Sequence, residues 1–478
     1  MKQKLLGGDK KYYVNSILTV ALMFGGNFVP SFGSISQMGM GVLGVFLGTV
    51  YGWSTVGFFW PSALSIIALA CTGYGDFGDL IAQAVGSNTF IILMTMFCFL
   101  GIINESGVSM YLAKRIIGLK MGKNHPWLVV YLLMTASCLL FGITGALPVV
   151  FMIWEIFYDM VNYNQIEKGK FTQFTVTAIL FAAILGGQIF PFVMIVVVLF
   201  NIFTSTTGLA APAFLPYVIW MLLISQLCTM GFILVGKYIL KIKAPQLRMK
   251  EEETPQSLDT YQKIVLTTVV LFIVVMISTS ILPDAWLLTQ AVGVLGVGGV
   301  ALLADIFLIA VRFTEGKSFQ EYMKASANWE ILFMSMPITL LAEAITSSQT
   351  GISNAISAFL VPIFESLGVP LFLILIVVIP LILTNFCDNI VMGTIFIPIG
   401  ASIAEALGVN QYLVLTLVIE ATSMGLATPF ACTPAAVLHG NAEWITSKQA
   451  AKYGTIAVCV AAVVILVVGI PLGMLLYI

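Results

Sequence analysis

Apolar residues in this chain run in long blocks, and polar residues gather in short separators between them. A helix needs about 20 predominantly apolar residues to cross the hydrocarbon of a bilayer. Blocks of that kind predict spans near 14–31, 38–53, 56–72, 89–113, 171–200, 214–240, 263–282, 285–311, 329–346, 411–436 and 453–477. Two further apolar stretches, 126–160 and 370–400, carry polar or Gly/Pro residues at their middles. Such a stretch, folded back on itself, returns to the side it entered, so both are expected to be re-entrant hairpins.

Composition turns these blocks into a fold class. Of 478 residues, 59% are hydrophobic and 9% charged, with a mean hydropathy of +1.04. Soluble domains carry about 25% charged residues, so the solvent for most of this chain is lipid and the expected class is an all-α polytopic membrane protein. Charge then orients it, because cytoplasmic loops are enriched in Lys and Arg. Lys2, Lys4, Lys10 and Lys11 put the N-terminus in the cytoplasm. The expected outside loops 32–37, 73–88, 201–213, 282–284 and 401–410 contain no Lys or Arg. The expected inside segments hold Lys114, Arg115, Lys120 and Lys123; Lys168 and Lys170; Lys237 through Lys263; Arg312, Lys317 and Lys324; and Lys448 and Lys452. Counting either hairpin as a crossing breaks this pattern. Eleven spans with two hairpins, the C-terminus outside, is the topology the charges support.

The remaining composition narrows the functions. A net charge of −1 and a pI near 6.2 give no footprint for a nucleic-acid partner. The seven cysteines are scattered through apolar runs without a CxxC pair, which reads as free thiols. His125 and His439 are the two histidines and lie far apart, disfavouring His-based metal or acid–base chemistry. No P-loop or nucleophile elbow is present, so neither an enzyme nor an ATP-driven pump has a visible site. No small-residue cleavage site follows the first apolar run, which is read as a retained span suited to a bacterial inner membrane.

The segment 241–263 is the one long polar stretch and divides the chain near its middle. The expected organisation is an N-terminal span (1–37), a first repeat (38–240), a cytoplasmic linker (241–263) and a second repeat (264–478). Asn88 opens SNTFIILMTMFCFLGIINESGVS in one half and Asn328 opens NWEILFMSMPITLLAEAITSSQTGIS in the other. Each is followed by a hairpin and then by a span broken by Gly, Thr or Pro. Opposite starting sides make this an inverted-topology repeat, a common architecture of secondary transporters.

Helix interruptions at membrane depth are tolerated only against protein or a wet cavity. Four stand out: Phe141-Gly142-Ile143-Thr144-Gly145 with Pro148 beyond; Gly186-Gly187-Gln188-Ile189-Phe190-Pro191; Thr384-Asn385-Phe386-Cys387-Asp388-Asn389; and Ala427-Thr428-Pro429-Phe430-Ala431-Cys432-Thr433-Pro434. A broken helix exposes N–H groups that attract anions and carbonyls that can ligate sodium. The expected cation ligands are Gly142, Ile143, Gly145, Gly186, Thr384, Asn385, Asp388, Thr428 and Glu420, with sodium ions or protons as coupling ions and no other cofactor. Gln188 is an expected substrate contact. Asp388 is the sharpest candidate, since a carboxylate in the membrane interior costs about 2.5–3.5 kcal/mol even on lenient scales; its alternative is a structural cap of the hairpin turn. Glu105 and Glu343 occupy matching places in the halves, and Asp305 could pair with Arg312 two turns along. Gly44, Gly48 and Gly52 form a ladder for close helix packing, within the chain or at a dimer seam.

At the hairpins and breaks the chain resembles the divalent-anion:sodium symporter family of the ion-transporter superfamily, which carries a Ser-Asn-Thr signature at each hairpin tip. Here Gly142-Ile143-Thr144 keeps the Thr, Asp388-Asn389-Ile390 keeps the Asn, and the downstream FIPIG run fits. ATPFACTPAAVLHGN resembles the second broken helix. The resemblance implies eleven spans with two opposed hairpins, a homodimer and an elevator-type movement. It implies substrate contacts at Thr144, Asn389, Thr433 and Pro434, and a small anionic solute as partner. The Asp at the second tip departs from the signature and is similar to the arsenite-efflux and sodium/proton-antiporter branch. The leading expectation is sodium-coupled uptake of a small organic anion of the di- or tricarboxylate class; the alternative is sodium/proton exchange or inorganic-anion export on the same scaffold.

Overall fold

The computed structural model describes residues 10–117, 125–145, 147–247, 257–283, 285–429 and 431–477. Lys2, Lys4, Lys120, Lys123, Phe430 and residues 248–256 of the linker lie outside the described residues.

The first half contains α1 (Lys10–Gly25), α2 (Gln37–Thr55), α3 (Phe59–Cys71), α4 (Phe77–Val85), α5 (Asn88–Ser106), α6 (Val108–Ile117), α7 (Pro126–Thr144), α8 (Leu147–Tyr163), α9 (Lys170–Gly186), α10 (Met194–Thr207) and α11 (Phe214–Leu234). The second contains α12 (Thr260–Ser278), α13 (Leu287–Val311), α14 (Phe319–Ser326), α15 (Trp329–Thr346), α16 (Ile352–Leu383), α17 (Asn389–Ala406), α18 (Gln411–Ser423), α19 (Thr433–Gly440), α20 (Ser447–Val464) and α21 (Ile470–Leu476). Among the described residues, eight helices are long and apolar enough to cross a membrane, and shorter apolar helices include α9, α10 and α18, the limbs of the interrupted spans. Strands are absent among the described residues. The structure is therefore that of an all-helical polytopic membrane protein.

Element boundaries follow local chemistry. Side chains of Ser36, Ser87, Asp259, Asn328, Asn410 and Thr446 accept hydrogen bonds from first-turn N–H groups of α2, α5, α12, α15, α18 and α20. Glycine in the left-handed region ends α5 at Gly107, α7 at Gly145 and α10 at Gly208, where a side chain would be strained.

Three expectations shift in detail. The span predicted over 89–113 divides at Gly107 into α5 and α6, because Asn104-Glu105-Ser106 ends the first helix and glycine in the left-handed region turns the chain there. The outside loop 73–88 contains the short amphipathic α4, which buries Leu80 and Ala84. The inbound limb of the second hairpin belongs to a longer helix, α16, which turns at Gly368 (φ 77°, ψ 160°). The interruptions themselves lie within a few residues of their expected places, at 187–193 and 424–432.

The order of elements runs twice. Helices α2 to α11 and α12 to α20 follow a similar order of elements, α6 apart: two helices, a short one, a capped helix, a hairpin, then a broken helix. Packing exchanges the partners, since α5 of the first half lies on α13 and α14, whereas α15 of the second lies on α3 and α4. The glycine ladder on α2 is used inside the chain: Gly44 abuts Gly26, Gly48 abuts Met23 and Gly52 abuts Thr19 on or just beyond α1.

The first hairpin meets its broken helix through glycine. A Cβ on Gly186 would stand 1.9 Å from the Cys138 carbonyl oxygen, and one on Gly142 would stand 2.8 Å from that of Gly186. Overpacking of a dense interior costs about 1–3 kcal/mol, and a backbone clash leaves little room to relax. Gly186→Ala is expected to destabilise the protein by about 3 kcal/mol or more, read as a lowered unfolding midpoint in detergent, whereas Gly25→Ala, with open space around it, should leave the midpoint unchanged.

Candidate functional site

All four interruptions open onto one cavity of about 1000 Å³. The first hairpin contributes Phe141, Thr144 and Gly145; the break after α9 contributes Gly187 and Gln188; the second hairpin contributes Asp388 and Asn389; the break before α19 contributes Cys432, Thr433 and Pro434. Thr144, Gln188 and Asn389 are buried, so this is the cavity's deep end. The opposite wall comes from α5 and the α13–α15 connection, where exposed Glu105, Glu321 and Lys324 mark the open end.

The second hairpin is stitched to its broken helix by polar side chains. Asn385 Oδ1 accepts from the N–H groups of Leu426 (3.0 Å) and Ala427 (2.8 Å), and its Nδ2 donates to the carbonyls of Leu381 (2.8 Å) and Met424 (3.3 Å). Thr384 Oγ1 bonds the Thr422 carbonyl and Asn389 Oδ1 (2.9 Å), while Asn389 Nδ2 reaches the Ser423 carbonyl at 3.4 Å. Thr428 Oγ1 donates to the Asn385 carbonyl, and Cys432 Sγ donates to that of Gly425 at 3.2 Å. Backbone groups freed by unwinding are thus covered from the hairpin. The first half covers its break from α11 instead: Tyr217 Oη donates to the Gln188 carbonyl (2.9 Å) and Ser225 Oγ to that of Leu185 (3.3 Å).

Asp388 caps α17, its Oδ1 accepting from the Ile390 N–H at 2.9 Å, and it also lines the cavity. The hairpin cap and the cavity carboxylate are therefore the same residue. Of the five expected substrate contacts, Thr144, Gln188, Asn389, Thr433 and Pro434 all line the cavity. Of the expected cation ligands, Gly145 and Asp388 line it, whereas Thr384, Asn385 and Thr428 lie in the seam behind the tip, Gly142 and Gly186 lie in the seam of the first half, and Ile143 is half-buried against the apolar core. Glu420 lies apart from the cavity lining, fully buried on α18, with neither carboxyl oxygen hydrogen-bonded to a described residue.

The Asp305–Arg312 pairing is corrected. Asp305 is fully buried beside Cys98 of α5, while Arg312 bonds Glu315 and approaches Glu105 at 3.4 Å. Seven residues would keep the two on one helix face, but Arg312 is the C-cap of α13 with non-helical backbone, and its side chain reaches Glu315 and Glu105 at the end of α5 in place of Asp305. Glu105 also holds Lys317 at 2.6 Å, and this carboxylate raises the lysine pKa above its ordinary value. Glu343 bonds Gln83 of α4. Sequence reasoning missed Asn104, Glu321, Ser326 and Asn328 as cavity residues and read Lys317 and Lys324 for topology alone; the available signal was the clustering of charge around α14.

A cavity walled by interrupted helices inside an all-helical membrane fold defines a membrane transporter. The family model described as citrate transporter (CitMHS) matches residues 49–394, well over half of the chain, and the protein belongs to that family, part of the ion-transporter superfamily. The superfamily suggested by the hairpin motifs is therefore borne out. Among solved structures the fold is similar to the YdaH transporter of Alcanivorax borkumensis, with a TM-score of 0.60 and 12% identity over 83% of this chain and 87% of that one. It is likewise similar to MtrF of Neisseria gonorrhoeae, one of a class of antimetabolite efflux pumps, with a TM-score of 0.60 and 10% identity over 97% and 96%. At such identities the likeness is one of fold. No curated protein matches the sequence.

Removing the Asn385 side chain would leave the N–H groups of buried Leu426 and half-buried Ala427 without their partner, and a buried orphan N–H costs about 1–3 kcal/mol. Asn385→Ala is expected to lower thermal stability and to speed proteolysis near 424–432 in detergent; unchanged protection would show that the seam is closed by other groups.

Proposed function

We propose that the protein takes up a small organic anion of the di- or tricarboxylate class, driven by sodium, from a bacterial inner membrane. The observation that carries this reading is the convergence of Thr144, Gln188, Asn389 and Thr433, from four separate interruptions, on one cavity. Helices α17 and α19 begin at its deep end, and helix N-termini favour anions. Family membership supports the carboxylate class.

The proposed movement is an elevator. The hairpins and broken helices form one wall of the cavity, and α5, α14 and the start of α15 form the other. Sliding the first wall against the second would carry the solute without opening a continuous pore. The basic residues at the open end fit an inward-facing orientation with the N-terminus in the cytoplasm, and the resemblance that supports the elevator also supports a homodimer. A second reading, cation exchange or inorganic-anion export, draws support from Asp388, an acid among the cavity's deep groups.

Uptake into proteoliposomes under imposed sodium or proton gradients separates the two. Sodium-driven accumulation of citrate or succinate is expected; sodium-driven internal pH change without carboxylate uptake would establish the second reading. Thr433→Ala should raise the apparent KM about tenfold or more, the worth of one hydrogen bond to a charged group. Asp388→Asn retains an oxygen to cap α17 but loses the charge, so it should fold normally and lose cation dependence; unchanged sodium and proton dependence would remove Asp388 from coupling.

A further inference from the structure

The two walls of the cavity carry different chemistry. The deep wall offers neutral groups, Thr144, Gln188, Asn389 and Thr433, together with the capped Asp388. The opposite wall brings two lysines, Lys317 and Lys324. Lys317 is held by Glu105 at 2.6 Å. The neighbouring Arg312 is held by Glu105 and Glu315, with its guanidinium 4.5 Å from the Tyr261 ring centroid. Lys324 alone among these three has no ion pair, hydrogen bond or ring contact with a described residue.

Its base is fixed. Ser326, two residues on, donates to the Phe97 carbonyl of α5 at 2.6 Å and to the Tyr322 carbonyl at 2.7 Å, and Tyr322 is 1% exposed. Gly101 of α5 lies so close that a Cβ there would stand 2.5 Å from Ser326 Oγ. A short helix pinned in this way presents an ammonium at the edge of the cavity from a position that does not depend on the hairpins.

We propose that Lys324 receives the distal carboxylate of a solute whose first carboxylate lies at the hairpin tips, and so selects di- and tricarboxylates over monocarboxylates. This rests on the transport reading above. A monocarboxylate has nothing to place on Lys324; a longer polyanion spans both walls and gains a charge-assisted hydrogen bond. Glu321, one turn earlier on α14 and also at the cavity, is the opposing charge on that wall. It repels the same distal carboxylate and sharpens the requirement for the ammonium. Because Lys324 belongs to the wall opposite the hairpins, its contact exists in the orientation shown and is broken when the walls slide, which weakens polyanion binding on one face of the membrane.

The test is titration calorimetry of the full-length protein in detergent at low salt, with citrate, succinate and propionate as probes. Lys324→Gln is expected to weaken citrate and succinate about fivefold, as for a partly solvated ion pair, and to leave propionate within twofold (about the scatter of exposed contacts). Lys324→Arg should restore the polyanions, and Glu321→Gln should tighten them. The difference between wild type and Lys324→Gln should shrink in about 1 M salt, where the screening length falls to about 3 Å. Equal weakening of all three probes, or of none, overturns the role of Lys324 while leaving the transport reading intact. Wild-type protein that binds neither citrate nor succinate overturns the transport reading itself, and this proposal with it.

Discussion

Unwound backbone inside a membrane must find partners within the protein, and this requirement shapes the whole transport region. Lipid offers no hydrogen bonds, and each unpaired backbone group there costs several kcal/mol. Asn385 meets the requirement for the second half: one amide pairs the Leu426 and Ala427 N–H groups and the Met424 carbonyl of the break between α18 and α19, and also the Leu381 carbonyl of its own limb, α16. Tyr217 and Ser225 meet it in the first half from α11, and Gly142 and Gly186 allow the hairpin to approach by backbone alone. The two halves run through the same order of elements but close their seams by different chemistry, polar stitching in one and close packing in the other.

Closing the seams leaves the inward ends of the interruptions as the polar surface, and the cavity exists because these ends are not needed to satisfy one another. Gln188 illustrates the division: its carbonyl is taken by Tyr217, whereas its side chain lines the cavity with an oxygen that bonds no described residue. Asp388 divides in the same way, spending Oδ1 on the start of α17 while still lining the cavity. Architecture and site therefore share residues, so a change at the site is also a change to a helix end.

Much of this was legible in the sequence because Gly, Pro, Asn and Thr inside apolar runs have few explanations. The interruptions at 141–145, 186–191, 384–389 and 427–434 fall within a few residues of the observed ones, and the five expected substrate contacts line one cavity. What averaging over a span-length window missed are turns marked by only two or three polar residues. Gly107, after Asn104-Glu105-Ser106, divides α5 from α6, and Gly368, after Glu365-Ser366-Leu367, bends α16. The helices α4 and α14 are short and amphipathic, and a window sized for a membrane span averages them away. Side-chain pairing was less legible still: Asp305 and Arg312 are near in sequence, yet Asp305 is buried beside Cys98 in the middle of α5, whereas Arg312 joins Glu105 at the end of α5 and Glu315. Spacing along a helix gives the direction of a side chain, but the partner is set by the helix packed against it.

The cavity's two walls carry the proposed mechanism because only one of them is bound to the interruptions. Asn385, Thr384 and Thr428 fasten the second hairpin to its broken helix, so those parts can shift as a unit without exposing backbone. On the other wall, Ser326 fastens α14 to α5, and the Glu105, Arg312 and Lys317 ion pairs hold the end of α5 to the connection after α13. A moving boundary must fall where hydrogen bonds are sparse; the cavity separates the second hairpin from α5 and α14, whereas α10 is tied to the other wall by Asn201, which donates to Thr89 of α5 and, at 3.2 Å, to Thr339 of α15. In the proposed mechanism an anion bound in that space would bridge groups of opposite allegiance, some travelling with it and one remaining behind. Release would then require no separate trigger, because displacement of one wall would remove part of the binding site from the solute.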